Sequence, residues 1–168
     1  PYQYSYAAEL VRALNRDRFL LSLFVPAAHR EAVLALYAFD AELRHVHHAV
    51  TEEINGHIRY AWWQEGLDEI HKGQPARQHP VFEALAPMMQ GGHIGYDALS
   101  AMVHLYRSRF PSMPDTEPLV DTAAEKLLTA LCPQVKDGWG RAKGVIARHR
   151  ARHGARLNAW LHVRLMLL

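Results

Sequence analysis

Cysteine is nearly missing from this chain. Cys132 is the only one in 168 residues, which excludes an internal disulfide framework and leaves no cysteine pair for a thiolate zinc site. Long apolar runs are missing too: the stretch from Phe19 to Ala28 is short and holds Pro26, well below the roughly 18 to 20 apolar residues of a membrane span. An integral membrane protein is therefore not expected. Acidic residues are missing from Gly138 onward, where Arg141, Lys143, Arg148, Arg150, Arg152, Arg156 and Arg164 stand unopposed. All 17 acidic residues lie upstream with the remaining 12 basic ones, so an acidic body carries a basic segment, 138–168, that predicts a negatively charged contact. An initiator methionine is missing as well. The first residue is Pro1, which predicts a processed or trimmed chain whose targeting segment has gone.

What is present suits one folded domain over 1–168. The apolar fraction of 49% and charged fraction of 21% exclude a disordered chain, and the length allows a substantial core. No segment alternates with the period of a strand, and helical spacing dominates, so the expected fold class is all-α. Helices are predicted over Ser5 to Leu14, Asn15 to Phe24, Pro26 to about Ala49, Thr51 to about Lys72, Val81 to Gln90, Tyr96 to Arg109, Leu119 to Leu131 and Trp139 to His149. Pro26 suits a first turn, Thr51 a cap, and Gly73 a stop, while Pro87 is expected to end or kink its helix.

Three stretches carry a family resemblance: Asp17 to Leu43 (DRFLLSLFVPAAHREAVLALYAFDAEL), Ile58 to Pro75 (IRYAWWQEGLDEIHKGQP) and His79 to Leu85 (HPVFEAL), with a weaker echo at Asp121 to Leu131 and Gly138 to Arg150. They resemble the squalene/phytoene synthase family, which joins two prenyl diphosphates head to head. The resemblance implies an isoprenoid-synthase-like helical bundle, here ending before the helices that close the enzyme cavity. In those enzymes the helix matching Tyr37 to Phe39 carries aspartates spaced D-x-x-x-D, because positions i and i+4 share a helix face and can share a magnesium cluster. Those aspartates would fall at Arg44, His45 and His48. A guanidinium cannot ligate Mg²⁺, and imidazole is a poor ligand for so hard a cation. A second motif, aligned on Gly140 to Ala142, puts an arginine at Arg150 and the aspartate positions at Ala151 and Ala155. With both clamps gone, the resemblance implies no enzyme, no cofactor and no metal. It points instead to the non-catalytic branch of the family: an accessory subunit or assembly factor of a mitochondrial respiratory complex, most of all complex I, peripheral on the matrix side of the inner membrane. Its partners would be subunits of that complex, with anionic lipid contact as an option and no nucleic acid. The alternatives are a divergent prenyl synthase, with metal held by Asp40, Glu65 or Asp68, or an isoprenoid carrier.

Individual residues sharpen these expectations. Asp40, Arg44 and His48 form an i, i+4, i+8 stripe, read as an ion pair filling a polar hole in the old cavity or as a built-in cation that holds phosphate. His45, His47 and His48 cannot converge on one ion, since neighbours on a helix diverge by roughly 100°. Glu65, Asp68 and Glu69 share a face that reads as solvated. Trp62 and Trp63 point apart, so at most one lines a cavity. Tyr37, Asp40, Arg44, His48 and Trp62 are the candidate residual pocket, and Phe39 and Met88 are candidate wall residues. Arg148, Arg150, Arg152, Arg156, Trp160 and Arg164 form the candidate attachment surface, because an apolar end beside a basic run suits burial at an interface.

Overall fold

The computed structural model describes residues 4–50, 52–114 and 116–153. Among them are eight α-helices, one 3-10 turn and no strand. Helix α1 (Tyr6–Leu14) begins where the Ser5 hydroxyl accepts from the Ala8 amide at 3.1 Å. Asn15 then serves two helices. Its amide donates to the Val11 carbonyl at 2.8 Å, and its side chain accepts from the Arg18 amide at 3.1 Å to cap α2 (Arg16–Ser22). Asn15 is thus a cap rather than the first helical residue.

Helix α3 (Ala27–Ala49) follows Pro26 and is the axis of the bundle. Its residues 32–41 are buried without interruption, and α1, α2, α4, α5, α6 and α7 all pack on it. A helix apolar around its whole circumference belongs in an interior. Alanines at 32, 35, 38 and 41 let neighbours come close on several sides.

Helix α4 (Glu53–His71) starts at Glu52, which makes no side-chain cap bond; the Thr51 cap lies outside the described residues. Gly73, at φ 75°, ends it in a backbone conformation that glycine adopts without strain. Helix α5 (Pro80–Gln90) runs through Pro87 instead of stopping there. Pro87 lies in the last turn and forfeits only the bond to the Glu83 carbonyl. Helix α6 (Tyr96–Arg109) lies against α4, with Phe110 under Gly56, where a Cβ would come within 2.6 Å of the ring. Helix α7 (Glu117–Leu131) returns to α3. Helix α8 (Lys136–His153) is longer at both ends than its periodicity predicts, and Trp139 fixes it by stacking on Tyr37 of α3, centroids 6.5 Å apart.

Candidate functional site

Where α1, α2 and α3 converge, a cleft of about 240 Å³ opens beside the middle of α3. Tyr37, Asp40, Ala41, Arg44, His45 and His48 line it from α3, with Asn15 and Arg18 on the other wall. These α3 residues share a face because they recur at three- and four-residue spacing. Four of the five candidate pocket residues are therefore together. Trp62 is elsewhere: it is 38% exposed on α4, with the Arg77 guanidinium 5.2 Å from its ring centroid and Phe82 at 5.4 Å. Trp63 instead enters the core, 5.5 Å from Phe39, so Phe39 packs away from the cleft.

Asp40 is the floor of the cleft and is 1% exposed. One carboxylate oxygen accepts from Arg18 Nη1 at 2.6 Å, and the other accepts from the Tyr106 hydroxyl at 3.0 Å. Arg44 lies 3.9 Å from the Arg18-bound oxygen and donates to Thr116 Oγ1 at 3.2 Å. The Tyr106 and Thr116 hydroxyls are 3.3 Å apart. Burial, then the Asp40 charge, pushes the Tyr106 phenol well above its usual range, so it stays protonated and serves Asp40 as a donor. Arg18 also places its guanidinium 5.1 Å from the Tyr37 ring centroid. Sequence spacing finds the Asp40–Arg44 pair but misses Arg18, Tyr106 and Thr116, whose partners are distant in the chain.

A magnesium cluster needs several oxygen donors around each ion. This cleft offers one carboxylate, already engaged by Arg18 and Tyr106, between two guanidiniums and the imidazoles of His45 and His48. The donor set does not fit that metal. Among the described residues no group of three or more His, Cys, Asp or Glu side chains could hold an ion. Glu65 and Glu69 both bind Arg77, at 3.0 and 2.8 Å, while Asp68 accepts from Tyr96 and Gln64. Those hydrogen bonds hold the Asp68 carboxyl below its usual range.

The basic segment divides. Lys143 is tied to Glu125 at 2.6 Å and Asp121 at 3.5 Å, and Arg150 pairs with Asp17 of α2, so Arg150 helps hold α8 in place. Arg148, Ala151 and Arg152 are exposed. Ala155, Arg156, Trp160 and Arg164 lie outside the described residues.

An all-helical bundle wrapped on one long axial helix, with a polar cleft against that axis, is an isoprenoid-synthase-like architecture. The family model for squalene/phytoene synthase matches residues 11–153, and the chain belongs to that family. It is similar to the Bos taurus protein "NADH dehydrogenase (ubiquinone) complex I, assembly factor 6", 33% identical over 78 residues, covering 46% of this chain and 23% of the relative. The Homo sapiens protein of the same description is 35% identical over 78 residues with the same coverage, and that of Mus musculus 30% identical over 83, covering 49% of this chain and 25% of the relative. The matched stretch thus spans about a quarter of these curated relatives. No solved structure matches the chain.

Proposed function

We propose that this chain is a non-catalytic member of its family that works through protein contacts, as an assembly factor or accessory subunit of mitochondrial complex I. The observation that carries the reading is the engagement of Asp40. In a cleft placed on the axial helix, the one buried carboxylate is already held by Arg18 and Tyr106, and the residues beside it are cationic or imidazole. Departure of a diphosphate needs several kcal/mol of electrostatic stabilisation from metal ions, and these side chains recruit none. The relatives named as assembly factors supply the direction for what such a protein does instead.

The reading places the protein in mitochondria, peripheral on the matrix side of the inner membrane. Among the described residues no helix is long and apolar enough to cross a membrane, in keeping with peripheral attachment. The test is complementation. Expression of the tagged chain in cells lacking their own assembly factor should restore complex I on native gels, with subunits or assembly intermediates co-purifying. Failure of both, or a head-to-head product from farnesyl diphosphate and Mg²⁺ above a no-protein control, would overturn it.

A further inference from the structure

Helix α8 presents two different faces. Trp139, Ala142 and Ile146 are buried and join it to the body. Another side borders an open groove of about 590 Å³, lined by Gly138, Gly140, Arg141, Gly144 and Arg148 of α8 and by Phe24. Nothing lies within 4 Å of where a Cβ would stand at Gly138 or Gly140. A second backbone can therefore approach α8 closely here.

Charge says what kind of backbone. Asp137 is the only acidic residue on α8. Lys143 and Arg150 are already matched by carboxylates of α7 and α2. Arg141, Arg148 and Arg152 are exposed, and among the described residues none has a carboxylate within ion-pair distance. Their spacing of i, i+7 and i+11 puts all three on one helix face, and two of them, Arg141 and Arg148, line the groove. Three unmatched cations on one face, two of them in a recess, complement a rod bearing carboxylates at the same repeat. An amphipathic helix lays one face into a groove, and that mode suits a recess lined by small residues and Phe24.

We propose that this groove is the docking site for an acidic amphipathic helix of a partner protein, its carboxylates meeting Arg141, Arg148 and Arg152 and its apolar side seated against Gly140, Gly144 and Phe24. The proposal deepens the reading of the chain as an interaction protein and rests on it.

The probe is a synthetic helical peptide of about five turns, with leucines along one face and glutamates at i, i+7 and i+11 beside them, titrated against the full chain. Binding that weakens with salt is expected. The triple variant Arg141→Glu, Arg148→Glu, Arg152→Glu should lose at least about tenfold in affinity and gain affinity for the same peptide with lysines for glutamates. Gly144→Leu, whose Cβ would meet only the Arg148 guanidinium, at 3.3 Å, and whose side chain narrows the groove, should lose affinity with its helical spectrum unchanged. Equal binding by parent, triple variant and Gly144→Leu would overturn the proposal. So would capture of parent and Gly144→Leu alike by phosphatidylserine vesicles with no peptide binding, which would mark a membrane contact. Tighter peptide binding after Leu161→Asp and Leu165→Asp in the full chain would also overturn it, by showing that the chain's own segment fills the groove. Complex I subunits that still co-purify with the triple variant would remove this groove and leave the assembly role standing. Peptide binding without any complex I association would do the reverse.

Discussion

Asp40 holds donors from two different helices, Arg18 of α2 and Tyr106 of α6, in a position that water hardly reaches. Asp40→Asn keeps the shape but removes the carboxylate charge from the buried pair with Arg18, and breaking such a pair costs about 3–5 kcal/mol. Urea unfolding should show a midpoint lowered accordingly. Replacing both partners, Arg18→Met with Asp40→Leu, should recover most of the loss, because an apolar pair needs no counter-charge. Arg44 provides the contrast. Its side chain is 43% exposed and 3.9 Å from Asp40, so Arg44→Ala should cost no more than about 1 kcal/mol. His47 adds a pH dependence. Its Nδ1 is buried with no hydrogen-bond partner among the described residues, and burial, then His48 and Arg44, lower its affinity for a proton below the usual 6.5. The unfolded chain therefore binds this proton more readily, and stability falls as pH drops below about 6.5. Phe110 packs on His47 at this end of α3, and His57 packs on Phe110. A pH series of melting temperatures should show His47→Leu less sensitive than the parent in that window.

Helix α4 is apolar on two sides. Tyr60, Trp63, Leu67 and Ile70 point into the core, while Ile54 at 65% exposure, Ile58 at 60% and Trp62 form a line one turn apart on the outside. Ile54→Lys with Ile58→Glu should leave unfolding within about 0.5 kcal/mol of the parent, and light scattering should show less self-association. Gly140→Ala in α8 should raise stability by roughly 0.5–1 kcal/mol through helix propensity, because the added methyl meets open space. Local patterns made much of this legible in advance. The stop at Gly73, the span of α3 and the Asp40–Arg44 spacing all depend on residues within a few positions of each other. What stayed hidden depends on packing across the chain. Arg18 reaches Asp40 over 22 residues, Tyr106 over 66, and Trp62 turns outward because Trp63 takes the core position. No periodicity on one helix encodes which face of another it will meet.

The charges of the whole molecule are sorted: acids through α1 to α7, and on α8 six Lys and Arg residues against one carboxylate. Two of those cations tether α8 to α7 and α2, while Arg141, Arg148 and Arg152 are exposed with no carboxylate in reach among the described residues. Because the cleft lacks the donors for a hard cation, millimolar Mg²⁺ should leave the melting temperature unchanged, whereas a genuine site would raise it by mass action. A Mg²⁺-dependent upward shift would count against the account of the cleft. The axial position of α3 bears on motion. Six helices cover residues 32–41, so their amide protons should exchange with deuterium only when the entire bundle opens. Helix α8 is held by fewer neighbours, by Trp139 and by ion pairs at its surface, and its amides should exchange through a smaller, separate opening. Such an opening would part Arg150 from Asp17 and Trp139 from Tyr37 while the helices around α3 stay folded.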